Sequence, residues 1–242
     1  MNLMNTPYTL MSLALTLPLI ATPAFTQAQS APATANPPTT ASTVPVYKPP
    51  MRGAPATRVG GASRGGPDSE LILSVLVPES TGLTSRAQPT LYWYSSKALS
   101  TPLEFTLNDE QSIKPLVELK VPANQPGIHA LKLKYTLKPE VEYSWTIAAV
   151  ADPDQRASDT LASGTIKHMP PSATLAAQLK DANPQQQLFL YAQEGFWYDA
   201  LATLSEQIAA QPANRSLREQ RAALLDQIEL KAAAAYDRGT TP

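Results

Sequence analysis

The chain contains no cysteine. That absence removes disulfides, thiol catalysis, cysteine-ligated zinc and attachment through a lipobox cysteine. Exported proteins often rely on disulfides, so an exported form of this chain has to be held by its core alone. Histidine is nearly as scarce: His129 and His168 are the two present. They fall on separate predicted strands, with no short metal-ligand spacing to a carboxylate on a helix, so neither a metal site nor a cofactor is expected. Charge is missing at the start, where residues 1–30 hold no Asp, Glu, Lys or Arg. Long apolar runs are missing too. A membrane span needs about 20 apolar residues, and Pro18 and Pro23 interrupt the first candidate.

What occupies that start is an apolar core, "LMSLALTLPLIA", then polar "TQAQS". Thr26 and Ala28 supply small residues at the −3 and −1 positions of a cleavage site after Ala28. Residues 1–28 are therefore predicted to be a cleaved signal peptide, although the n-region lacks Lys and Arg. No membrane anchor is expected after cleavage, and the mature chain is placed in the periplasm or outside the cell. Residues 29–50 follow with six prolines and one charge. Such a Pro/Ala/Thr segment favours extended polyproline conformations. It is predicted to be a spacer that reaches about 70 Å at about 3.1 Å per residue.

Net charge is −1, but four of the 19 basic residues and none of the 20 acidic ones precede Asp68. A basic arm on an acidic body argues against a nucleic-acid binder, whose folded domain is ordinarily basic. Catalytic patterns are missing as well. No nucleophile elbow, phosphate loop or dinucleotide fingerprint is present. Asp109 and Glu110 pair two carboxylates in a place where turns collect such residues. A hydrolase built from dispersed residues is the least favoured of the functional readings.

Between Glu70 and Met169 short β-like runs alternate with turn-rich breaks, giving about seven strands. In "HALKLKYT" Leu131, Leu133 and Tyr135 share one face, the period-2 mark of a half-buried strand. Tyr143, Trp145, Ile147 and Ala149 share the inner face of another. The spacing of "LKPEVEY", Leu137 to Tyr143, resembles the tyrosine corner of fibronectin-type and immunoglobulin-like sandwiches. Tyr143 and Trp145 are accordingly predicted to be structural. Beyond Met169 the period becomes helical. Ser172 caps a helix bearing Leu175 and Leu179, and an antiparallel helix pair turns at Gly195. Trp197, Leu201, Leu204 and Ile208 form one apolar stripe. Ser216 and Glu219 make an S-x-x-E capping box for a last helix. The segment "GFWYDAL" followed by "PAN" is similar to a tetratricopeptide unit, with Gly195 and Trp197 in structural roles. Such stacks usually need three units, so the helices either cap the sandwich or borrow a partner's; capping is the reading adopted.

The expected fold is thus all-β plus α: an immunoglobulin/fibronectin-like β-sandwich over 51–169, with its Arg/Gly-rich arm, then a tetratricopeptide-like helical hairpin within 170–235. Two groups are candidates for binding. Arg52, Arg58 and Arg64 lie six residues apart among five of the chain's ten glycines. Guanidinium groups suit carboxylates, phosphates and sulfates, so the arm either grips an anion or docks on the acidic body. Tyr92, Trp93 and Tyr94 form either a stacking platform for sugar or peptide, or a core tryptophan flanked by tyrosines that the helices cover.

Several separate blocks, "MRGAPATRVGGASRG", "LVPESTGLTSRAQPTLYWYSS", "FTLNDE", "PGIHALKL", "LKPEVEYSW" and "YAQEGFWYDAL", together resemble the bacterial domain-of-unknown-function 928 family, best populated in cyanobacteria, over about residues 51–230. The resemblance implies an exported envelope protein with a β-rich body and a helical end. It transfers no catalytic residues. Many members carry two cysteines, one after the arginine–glycine segment and one after the strand matching "YSWTIAAV". This chain has neither, so a disulfide tying the arm to the body cannot form. The function expected is a non-enzymatic protein-binding or scaffolding module whose partner is another envelope protein, the alternative being a carbohydrate- or anion-binding module.

Overall fold

Alternating apolar positions become strands throughout the β-rich part. A computed structural model describes residues 44–50, 58, 61–62 and 71–239. The predicted signal peptide, most of the proline segment, and Arg52 and Arg64 lie outside the described residues. In chain order the strands are β1 (Gly61–Ala62), β2 (Ile72–Val75), β3 (Gly82–Thr84), β4 (Thr90–Ser95), β5 (Leu103–Asp109), β6 (Val117–Val121), β7 (Gly127–Lys132), β8 (Glu142–Ala149) and β9 (Thr160–His168). They form two sheets, ordered β1-β2-β4-β7 and β3-β9-β8-β5-β6. Among these described strands all pairings are antiparallel except β3 with β9, which is parallel. All seven predicted runs hold a strand, while β1 and β3 were not anticipated. The β7 strand stops at Lys132, short of the alternation that runs on to Thr136.

Both sheets feed one core. Leu73 and Val75 of β2, Leu91 and Trp93 of β4, Phe105 and Leu107 of β5, and Tyr143, Trp145 and Ile147 of β8 are all buried in it. The outward positions of β5 and β8, such as Glu104, Thr106 and Ser144, are polar. The Tyr143 hydroxyl accepts a hydrogen bond from the Lys138 N–H at 3.1 Å. A phenol buried in the core is thereby satisfied and the chain entering β8 is pinned.

Five helices follow: α1 (Ala173–Asp181), α2 (Pro184–Gln193), α3 (Trp197–Ala210), α4 (Arg215–Asp226) and α5 (Lys231–Arg238). Ser172 caps α1 through the Leu175 N–H, as predicted. Asn183 and Gln186 form a reciprocal capping box for α2. The predicted Ser216 box does not form. Asn214 is the cap of α4, its side chain accepting from the Ser216 and Leu217 N–H groups, so Ser216 lies inside the helix. The pair α2 and α3 turns at Gly195, whose φ of +80° favours glycine.

The central element is α3. Every residue from Trp197 to Ser205 is buried, whereas an ordinary surface helix buries one stripe. It lies against β3 and β4 on one side and α2 and α4 on the other, while α5 lies on β7. The molecule is therefore a mixed α+β structure with the helices on the β part. Among the described residues, no helix is long and apolar enough to cross a membrane.

Candidate functional site

Three consecutive side chains at the start of α3 tie the helices to the strands. The Trp197 indole N–H donates to the Leu76 carbonyl at 2.8 Å. The Tyr198 hydroxyl donates to the Thr165 carbonyl at 3.0 Å and accepts from the Trp145 indole N–H at 2.9 Å. Gly82 makes room for that ring: a Cβ there would stand 2.6 Å from Tyr198 Cε2. The Asp199 carboxylate accepts from the Ser85 N–H at 2.8 Å and the Ser85 hydroxyl at 2.7 Å, with Arg86 Nε 3.5 Å away. Burial pushes the Asp199 carboxyl above the usual aspartate range, against the Ser85 bonds that lower it.

On this platform lies a segment that its composition marks as spacer. Residues 44–50 run extended over the helices, with Pro45 and Tyr47 buried while Val46 and Lys48 face outward. The Tyr47 ring meets Trp197 edge-on at a centroid distance of 4.9 Å. The backbone is held as well. Tyr47 N–H donates to Gln227 Oε1 at 2.9 Å, and Gln227 Nε2–H donates to the Pro45 carbonyl at 2.9 Å. Lys48 N–H donates to the Ala192 carbonyl at 3.0 Å. A Cβ on Gly195 would lie 3.0 Å from the Lys48 carbonyl oxygen and 3.2 Å from Pro50 Cδ. The glycine at the helix turn thus serves both a left-handed backbone and the close approach of a second chain segment. Residues 44–50, the described end of the predicted spacer, are thus bound by the rest of their own chain, which composition does not register.

The arginine candidates are only partly placed. Arg58 donates through Nη1 to the Val77 and Ile228 carbonyls, each at 2.9 Å. Burial holds its guanidinium below the usual arginine range, with Glu79 and Glu229 acting in the opposite sense. It docks the arm on backbone carbonyls and not on the acidic side chains that its charge suggested. Tyr92 and Tyr94 are 6% and 1% exposed. Tyr92 lies under α3, with Ser205 near its hydroxyl, and Tyr94 packs on Tyr236 of α5 at 5.8 Å. Tyr92 and Tyr94 are thus covered by α3 and α5 in this fold and present no open stacking face. Trp93 lies in the core, stacked on His129 at 5.4 Å.

A family profile described as Domain of Unknown Function (DUF928) matches residues 59–237. The chain belongs to that family. No curated protein matches it. The DUF928 match begins after residues 44–50, so the segment seated on the helices stands outside the matched region. Four surface hollows of about 270 to 930 Å³ are lined by described residues, and none of the four contains His129 or His168. The largest holds Arg215, Arg218 and Arg238, but Arg238 is paired with Glu219 and Asp226 at 3.0 and 2.6 Å. Among the described residues no group of His, Asp and Glu could hold a metal ion.

Sequence reasoning missed Tyr47, Gln227 and Asp199. The first two sit in segments whose composition reads as linker and as polar helix face. Asp199 lies off the apolar stripe of α3. The alternation Pro45-Val46-Tyr47-Lys48 was the one available signal for the seated segment, and four residues are too few to separate it from a disordered run.

Proposed function

We propose that the chain is a non-enzymatic protein-binding module of the cell envelope, in which an immunoglobulin-like sandwich carries a tetratricopeptide-like helix pair that holds extended peptides. The sandwich reading is supported by the two sheet orders, by the parallel pairing of β3 with the last strand, and by the Tyr143 hydroxyl on the Lys138 N–H. The glycine turn between α2 and α3 and the aromatic opening of α3 support the helical reading. Export to the periplasm or beyond is supported by the uncharged apolar start and the small residues before the Ala28 junction. The partner is another envelope protein, and no nucleic acid is involved.

One observation carries this function: Val44–Pro50 lies on the helices as a bound peptide would, its backbone held at Pro45, Tyr47 and Lys48. Backbone bonds give affinity and alternate side chains give specificity in such recognition. Peptide display against the full chain carrying Tyr47→Ala, whose own segment has lost its anchor, should enrich extended segments with an aromatic residue two positions after a proline. Adding Gln227→Ala should weaken the selected peptides by roughly tenfold, the effect of leaving buried backbone groups unpaired. Enrichment no better than background would remove the reading.

A further inference from the structure

The seat on the helices is filled by the chain itself, and three features of that filling suggest regulation. First, Val44–Pro50 stands outside the family region that supplies its contacts, residues 59–237. It is attached to the binding surface without being part of the matched domain. Second, its contacts are those of a ligand. Gln227 uses both atoms of one amide to hold an N–H and a carbonyl of the segment, and such a pair reads any extended backbone. Third, the match is imperfect. The Tyr47 hydroxyl is buried with no hydrogen-bond partner among the described residues. Burying a hydroxyl unpaired is unfavourable, so phenylalanine would occupy this place better than tyrosine does.

Resting on the peptide-binding reading above, we infer that Val44–Pro50 is a built-in competitor that closes this seat, and that the outside ligand is an extended segment of the form Pro-x-Phe-x-x-Pro on another protein. The first proline takes the place of buried Pro45 and the phenylalanine that of Tyr47 against Trp197. The last proline takes the place of Pro50 beside Gly195. Intervening positions are free because Val46 is 56% exposed and Lys48 points to solvent. A covalently attached competitor acts at an effective concentration on the order of millimolar. An outside segment displaces it only by fitting better, and the unpaired Tyr47 hydroxyl leaves room for that.

The experiment uses the full chain and two labelled peptides, Val-Pro-Val-Tyr-Lys-Pro-Pro and its phenylalanine counterpart, followed by fluorescence polarisation. The Tyr47→Ala chain should bind the tyrosine peptide at least about tenfold more tightly than the unaltered chain does, since the competitor is released. The phenylalanine peptide should bind roughly tenfold more tightly than the tyrosine peptide, because no hydroxyl is buried unpaired. Equal binding to both chains overturns the competitor and leaves the seat as a peptide site. No binding to either chain overturns the peptide site as well. Hydrogen exchange at the Lys48 amide of the unaltered chain keeps the test open should Tyr47→Ala fail to fold. Exchange well ahead of the core amides supports a segment that lifts off by itself. Exchange only with global unfolding makes the segment a fixed part of the fold and overturns the inference.

Discussion

At the scale of single residues, the Tyr198 hydroxyl joins the two halves of the structure. It satisfies the Trp145 indole N–H and the Thr165 carbonyl together, from a side chain 1% exposed. Burial holds the phenol well above the usual tyrosine range, so it stays protonated and keeps its donor. Tyr198→Phe keeps the ring over Gly82 and removes only the oxygen. The variant should lose about 1–3 kcal/mol in urea unfolding, the cost of a buried polar group left without its partner. An unchanged midpoint would mean that water reaches Trp145. Helical periodicity in the sequence marked Trp197, Leu201, Leu204 and Ile208 but left Tyr198 and Asp199 on the face it assigns to solvent. It recognises one buried stripe, and a helix sandwiched between two layers has more than one.

Among the elements, those legible in the sequence carry their own periodicity, and the others depend on neighbours. The β8 strand announces itself because Tyr143, Trp145 and Ile147 alternate with polar residues. By contrast β3 is three residues long and exists through its parallel partner β9. The α5 helix, "KAAAAYDR", offers no apolar stripe, and Glu229 with φ of +60° separates it from α4. Beside the burial of Ala233 and Ala234 and the Tyr236 contact, an ion pair anchors α5. Asp237, 4% exposed, accepts two bonds from Arg221 at 2.6 Å, while Arg221 Nη1 donates to the Ser205 hydroxyl of α3 at 3.1 Å. Removing one member of a buried pair strands the other charge. Asp237→Ala should therefore destabilise the chain by about 3–5 kcal/mol, read from thermal and denaturant midpoints. The double change Arg221→Met with Asp237→Leu should recover most of that loss, because apolar residues of similar volume often replace a buried ion pair without penalty. A double variant as unstable as Asp237→Ala would show that the pair also fixes the register of α5.

For the molecule as a whole the question is whether helices and strands unfold together. The described residues from 44 onward belong to one compact unit. The buried apolar residues of both parts form a single cluster that runs from Tyr47 to Ala234. Polar ties cross the same boundary at Leu76, Ser85 and Thr165, and Arg58 bridges Val77 on the β side to Ile228 after α4. A composition shift near Met169 invites the opposite expectation of two independent domains. It arises because β and α segments use different periods, and it carries no information on whether they share a core. If the core is shared, exposing the face of α3 also exposes Trp145 and Leu76, so neither part reaches a stable intermediate alone. Unfolding followed by helical circular dichroism and by the fluorescence of Trp93 and Trp145, with Trp197→Phe removing the helical reporter, should then give coincident transitions. Two separated transitions, with the helices melting first, would mean that the ties at the start of α3 are weaker than the cohesion within either layer. In that case the seat for residues 44–50 would open with the helices and not by release of the segment alone. Coincidence instead requires any displacement of Tyr47 to occur on an intact platform, the condition under which an outside segment can be read by the same Gln227 amide.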